Sequence, residues 1–205
     1  MMRSVQLLHQ WLSPGFPTGA FAWSHGLDRL IADGEIADGA ALEAWLRGVL
    51  EYGAGWSDAV LLAQAHRHPA RHAEIAELAA ALSPTRERHA ETTDQGASFA
   101  RVAGGRPAAY PVAVGALAAR EEIELTLTLT LYLQAFAANL VSAAVRAVPL
   151  GQAEGQRIVT ALLPLCETLA ARAAEADLEE AGSCAVRADM ASLHHETQYS
   201  RMFRS

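Results

Sequence analysis

The strongest constraint on the fold is the stretch from Glu124 to Val148, ELTLTLTLYLQAFAANLVSAAVRAV, which stops at Pro149 and Gly151. Between Ile123 and Val145 the only ionisable side chains are Glu124 and Tyr132, so the segment has no broad polar face and is expected to be buried. Its length suits a membrane span. Polar residues from Thr126 to Ser142 interrupt it, however, and no basic cluster flanks either end, which argues against a span. The Leu-Thr alternation from Leu125 to Leu133 has the period of a strand, and Thr favours strands. The Ala-rich continuation, with Leu133, Phe136, Ala137 and Leu140 at helical spacing, decides for a helix. The fold class that follows is all-α: a single-domain helical bundle over residues 1–205, built around a central helix at about Glu124 to Val148.

A chain of 205 residues, 51% hydrophobic, can bury a substantial core. Its net charge of −7 and the lack of an Arg-dense stretch argue against a nucleic-acid partner, since phosphate binding needs a concentrated positive field. All 16 basic residues are Arg, which excludes the amine chemistry of a Walker A loop or a Schiff base. Arg is well suited to planar contacts with carboxylates at interfaces. Cys166 and Cys184 form no CxxC pair and no disulfide framework. The N-terminal MMRSVQLLHQWLSP has neither the apolar core nor the cleavage site of a signal peptide, so a cytoplasmic setting is expected.

Around the central helix the sequence punctuates further helices. Ser24 is the expected N-cap of a helix carrying Leu27, Leu30 and Ile31, and Asp38 of one carrying Leu42, Trp45, Leu46, Val49 and Leu50. Ser83, with Pro84 in the first turn, is expected to cap a helix running to Val102. Ile158, Leu162, Cys166 and Leu169 mark one side of another, which Pro164 is expected to kink or break.

Four groups of residues are candidates for function. His68 and His72 have the spacing that puts two imidazoles on one helix face, with His66 nearby, and a metal-dependent helical hydrolase is the alternative reading they support. Pro69 stands between them, and no convincing further ligand follows. The loop SPGFPTGAFAWSHGLD, Ser13 to Asp28, carries Phe16, Phe21 and Trp23, so it either folds onto the core or presents an apolar surface to a partner. Ser24 and His25 are neighbours whose side chains diverge on a helix, and no GxSxG elbow surrounds them. Gly151 with Gln152 and Gly155 with Gln156 repeat one helical turn apart; they either admit a close helix or partner or simply form a glycine-rich first turn. The tail, residues 195–205, combines Tyr199, Met202 and Phe203 with Arg201 and Arg204, an interface-like composition that favours docking on a partner or on the bundle. Replacing Tyr199 or Phe203 by Ala is expected to weaken partner binding by about 2 kcal/mol and leave melting nearly unchanged. No catalytic constellation assembles, and no cofactor is implied.

Three blocks, SPGFPTGAFAWSHGLD, NLVSAAVRAVPLGQAEGQ (Asn139 to Gln156) and DMASLHHETQYSRMFRS (Asp189 to Ser205), together resemble the urease accessory protein family UreF, in order and separation over essentially the whole chain. The chain departs from the family pattern at Trp23, where Tyr is usual, at Asp28, where Glu is usual, and at Thr93, where Arg is usual. The resemblance implies an all-α, non-enzymatic protein, usually a homodimer. It also implies a bridge between the accessory protein UreD (UreH in some species) and the GTPase UreG in the complex that loads nickel into apo-urease. The implied dimer and GTPase contacts fall on Phe16, Phe21, Trp23, His25, Gly151, Gln152, Gly155 and Gln156, and the implied UreD/UreH contacts on the tail.

Overall fold

The computed structural model describes residues 2–204. Met1 and Ser205, which the expected domain and tail include, lie outside the described residues. The helices are α1 (Met2–Trp11), α2 (Leu27–Ala32), α3 (Gly39–Tyr52), α4 (Ala54–Arg67), α5 (His72–Ala81), α6 (Arg86–Ala103), α7 (Tyr110–Arg120), α8 (Leu125–Ala147), α9 (Gln152–Glu175) and α10 (Val186–His195). Short 3₁₀ turns connect some of them, and no strand occurs among the described residues. The all-α expectation holds.

The Leu-Thr run is helical because its polar groups are satisfied locally. Glu124 caps α8, its carboxylate accepting from the backbone N–H groups of Thr126 and Leu127 at 2.7 and 2.6 Å. Thr128 and Thr130 turn their hydroxyls back onto the carbonyls of Glu124 and Thr126, each at 2.8 Å. Leu129, Leu133, Ala137, Leu140 and Ala144 then enter the core. Here α8 packs against α9 and α4, with α3, α7 and α2 also touching it.

The opposite side of α8 departs from the expected full burial. Leu127, Leu131, Gln134, Ala135 and Ala138 are half-buried and Ser142 is exposed, a stripe at helical spacing that the bundle leaves uncovered. Among the described residues α8 is the one helix long and apolar enough to cross a membrane, and half of its most apolar window is buried inside the bundle.

Close helix approach depends on glycine at two crossings. At Gly115 of α7 a side chain would run into the Leu62 carbonyl of α4. At Gly155 of α9 a Cβ would lie 2.9 Å from Val145 and 3.1 Å from Val141 of α8. The stripe Leu42, Trp45, Leu46, Val49 and Leu50 is buried as its spacing requires, and so are Ile158, Leu162, Cys166 and Leu169.

Several expected boundaries shift. Ser24 is not the N-cap of α2; Gly26, at φ 79°, occupies that position, and the Ser24 hydroxyl accepts instead from the Asp28 N–H. Thr85, not Ser83, caps α6, accepting from the Arg88 N–H at 3.0 Å. Its hydroxyl also meets that of Ser192 in α10 at 2.9 Å, a distant partner that favours Thr85. Pro164 does not break α9, which is continuous from Gln152 to Glu175. Near the proline, the Ala161 carbonyl also accepts from the Arg47 guanidinium of α3 at 3.1 Å. Asp38 caps α3 as expected, accepting from the Ala41 N–H at 2.8 Å.

Candidate partner-binding surface

The loop between α1 and α2 does both things its composition allowed. Phe16 turns inward and meets Phe99 with ring centroids 5.6 Å apart, while Trp23 is fully buried. Phe21 points out, 65% exposed. Three consecutive carbonyls fix this shape: Ala20 accepts from Asn139 at 3.0 Å, Phe21 from Arg146 at 2.8 Å, and Ala22 from the backbone N–H of Arg204 at 2.8 Å. The aromatic loop, the C-terminal half of α8 and the tail are therefore one assembly.

His25 sits in the left-handed region at φ 54°, and its ring is buried against Phe136 with centroids 4.9 Å apart. Its Nε2 lies 3.0 Å from Glu91 Oε1, the edge of a network at the heart of the bundle. Gln95 donates to the same oxygen at 2.9 Å, and Arg88 pairs with the other at 3.3 Å. The Arg88 guanidinium holds both oxygens of Asp58 at 2.7 Å, and the Tyr132 hydroxyl donates to Asp58 at 2.8 Å.

Electrostatics follow from this geometry. Burial works against the charge on Arg88, but Asp58 and Glu91 outweigh it and hold the guanidinium firmly protonated. Burial likewise pushes the Glu91 carboxyl up, and His25 and Arg88 overcome that and hold it below the usual carboxylate range. Burial and then Asp58 push the Tyr132 phenol far above its ordinary value.

An apolar cleft of about 160 Å³ opens over this network, walled by Trp11, Phe16, Phe21, Tyr110 and Phe136. A smaller cavity of about 40 Å³ borders the same ion pairs, with Ser57, Ser83 and Ser192 in its wall. His25, Asp58, Arg88 and Glu91 line both spaces. Carboxylates paired to Arg and an imidazole packed on a phenyl ring form a polar floor beneath the cleft.

The histidines of the alternative reading do not converge. His66 bonds the Ile123 carbonyl at 2.8 Å, His68 is exposed beyond the end of α4, and His72 is buried at the start of α5, where burial and then Arg106 lower its pKa. Among the described residues no group of three or more His, Cys, Asp or Glu is placed to hold a metal ion. The paired Gly-Gln motif splits in role. Gly155 is buried at the α8 crossing, whereas Gly151, Gln152 and Gln156 are exposed on the first turns of α9.

The tail lies on the bundle. Phe203 is 6% exposed, with the Arg146 guanidinium 4.7 Å above its ring, and Arg204 stacks over Trp23 at 4.4 Å. Phe203 is therefore a core side chain, so Phe203→Ala acts on the protein's own packing as well as on any partner. Tyr199 is fully exposed and Met202 is 60% exposed. Arg201 reaches Glu87 at 3.1 Å and the Glu196 carbonyl at 2.7 Å.

Comparison with known proteins matches the UreF family model to residues 36–163. A urease accessory protein UreF of Cereibacter sphaeroides (strain ATCC 17025) is 51% identical, with both chains covered in full. The chain belongs to the UreF family. Proteins of the same name from Roseobacter denitrificans and Rhodopseudomonas palustris (strain BisA53) are 47% and 46% identical, each over 97% of this chain and 92% of theirs. These relatives are named as urease accessory proteins, and an accessory role in urease maturation is what membership of the family indicates for this chain.

Reasoning from the sequence missed Asp58, Arg88, Glu91, Asn139 and Arg146. One signal was present for the α6 members: Arg88, Glu91 and Gln95 recur at three- and four-residue spacing in a helix whose apolar stripe is thin. A polar face with that period can be an inner face.

Proposed function

We propose that this chain is a non-enzymatic scaffold of urease maturation in the cytoplasm. It bridges the UreD/UreH accessory protein and the UreG GTPase while nickel, the cargo, is inserted into apo-urease in a GTP-dependent step. The observation that carries this reading is the full-length likeness to urease accessory proteins. The surface supports it: Tyr199 and Met202 stand outward on a tail pinned at both flanks, as anchors for UreD/UreH. The stripe on α8 through Leu131 and Ala138 suits a second copy of the chain, since an apolar helix face left half-open is covered in a homodimer. Phe21, beside the apolar cleft, and the exposed Gln152 and Gln156 are proposed contacts for the second copy or for UreG.

The test is size-exclusion chromatography with light scattering of the chain mixed with its cognate UreD. The full chain is expected to shift to a larger complex, and a Tyr199→Ala, Met202→Ala double variant to lose most of that shift while keeping its helical content. A folded wild-type chain that binds neither UreD nor UreG would overturn the reading.

A further inference from the structure

His195, the last residue of α10, is completely buried, and each of its ring nitrogens faces a carboxylate. Nδ1 lies 2.8 Å from Glu87 Oε2 of α6, and Nε2 lies 3.2 Å from Asp28 Oδ2 of α2. A neutral imidazole carries a single N–H, so in that form one of the two contacts would set a lone pair against a carboxylate oxygen. With both carboxylates ionised, both contacts are hydrogen bonds only when the ring is an imidazolium donating from both nitrogens.

The same Asp28 oxygen holds the tail. It accepts from the backbone N–H groups of Met202 at 2.8 Å and Phe203 at 3.2 Å. Glu87 in turn pairs with Arg201 of the tail at 3.1 Å. The charged groups facing His195 are thus Asp28 from α2, Glu87 from α6 and, through Glu87, Arg201 from the tail. The Arg86–Glu196 pair closes the outer edge at 2.7 Å, and Arg204 reaches Asp94 of α6 at 3.4 Å. With the ring charged, His195 and Arg201 balance Asp28 and Glu87. With the ring neutral, the buried Asp28 and the half-buried Glu87 share one cation.

We propose that His195 is a proton-controlled clasp for the C-terminal tail: protonated, it holds Asp28 and Glu87 in the positions that receive the tail; deprotonated, it releases residues 198–204. The state of this ring decides whether Tyr199 and Met202 are presented on a fixed backbone or on a loose one. The proposal rests on the tail being the partner-binding element, and it adds the control of that element. The sign is set by the geometry: protonation of the ring favours the docked tail and loss of the proton releases it.

The experiment is nuclear magnetic resonance of the isotope-labelled full chain, alone, across about pH 5 to 8, where imidazole changes charge. The Met202 and Phe203 amides are followed together with the His195 ring protons. The expected result is that both amides leave their docked positions in step with the titration of the ring. Through that transition the ratio of docked to released tail falls by up to about tenfold per pH unit. In His195→Gln, which has no titrating ring, the same amides should show no such transition. Amides that stay docked across the range in the wild type, or that move without any ring titration, overturn the clasp; the wild-type titration decides this even if the variant fails to fold. No UreD is present, so a negative result leaves the scaffold reading standing, whereas a clasp that titrates on a chain unable to bind UreD condemns that reading alone.

Discussion

Arg88 Nη2 donates to both carboxylate oxygens of Asp58 at 2.7 Å, and these two side chains, 12% and 8% exposed, join α6 to α4. An ion pair in such a place adds little net stability over a well-packed apolar pair, but breaking it is expensive because the survivor stays buried. Asp58→Ala is therefore expected to destabilise the fold by about 3–5 kcal/mol. The Tyr132 hydroxyl, which loses its acceptor, adds to the effect. Replacing both partners, Asp58→Leu with Arg88→Met, should recover much of the loss. Urea unfolding of the two variants, followed by circular dichroism, checks the order; equal destabilisation would mean the pair carries no special cost.

Glu91 ties the network to pH. Burial alone would raise its pKa, but His25 and Arg88 outweigh burial and lower it. A carboxylate with a depressed folded pKa stabilises the fold above its unfolded value of about 4.3, and that contribution is lost as pH falls through the folded value. Acid unfolding should accordingly steepen below about pH 4. Glu91→Gln is expected to be less stable at neutral pH and to show a shallower acid limb. Thermal melts over an acid series make the comparison. A variant with the wild-type acid slope would assign that slope to other carboxylates.

Phe203 and Tyr199 lie four residues apart and should behave oppositely. Phe203 is buried beneath Arg146, whereas Tyr199 touches open solvent. Phe203→Ala removes the ring that seats the tail, so amide exchange over residues 198–204 should rise strongly. The melting temperature should move less than the ~3–5 kcal/mol of a core Phe truncation implies, because a tail can come away without unfolding the bundle. Tyr199→Ala should change neither exchange nor melting and should act only on partner binding. Hydrogen exchange by mass spectrometry separates the two; a protected tail in Phe203→Ala would show that Asp28 alone holds it.

Apolar periodicity made α3, α8 and α9 readable, since Leu42 to Leu50, Leu129 to Leu140 and Ile158 to Leu169 each mark a single buried face. The polar core of α6 was not readable in this way. Arg88, Glu91 and Gln95 are inside because partners 30, 66 and four residues away satisfy them, and pattern rules that count only apolar residues see a surface helix. The tail was legible by composition but not by orientation: nothing local says that Phe203 turns in while Tyr199 and Met202 turn out. That choice is made by Asp28, 174 residues from Met202 in the chain. The displaced caps at Gly26 and Thr85 have the same origin, since in each case contact with α10 selects among residues that are locally acceptable.

Two helical glycines, Gly48 and Gly115, should respond to alanine in opposite directions. Gly48, inside α3, has nothing within 4 Å of an added Cβ, so Gly48→Ala keeps the native contacts and restricts only the unfolded chain. It should stabilise the protein by about 0.5–1 kcal/mol. Gly115→Ala drives a methyl into the Leu62 backbone carbonyl of α4, which cannot rotate away as a side chain would. The α4–α7 crossing must then open, and the fold is expected to lose at least about 1–3 kcal/mol despite the gain in helix propensity. Paired thermal and urea melts test both signs. If Gly115→Ala also stabilised the protein, the close approach of these two helices would not be limited by that carbonyl.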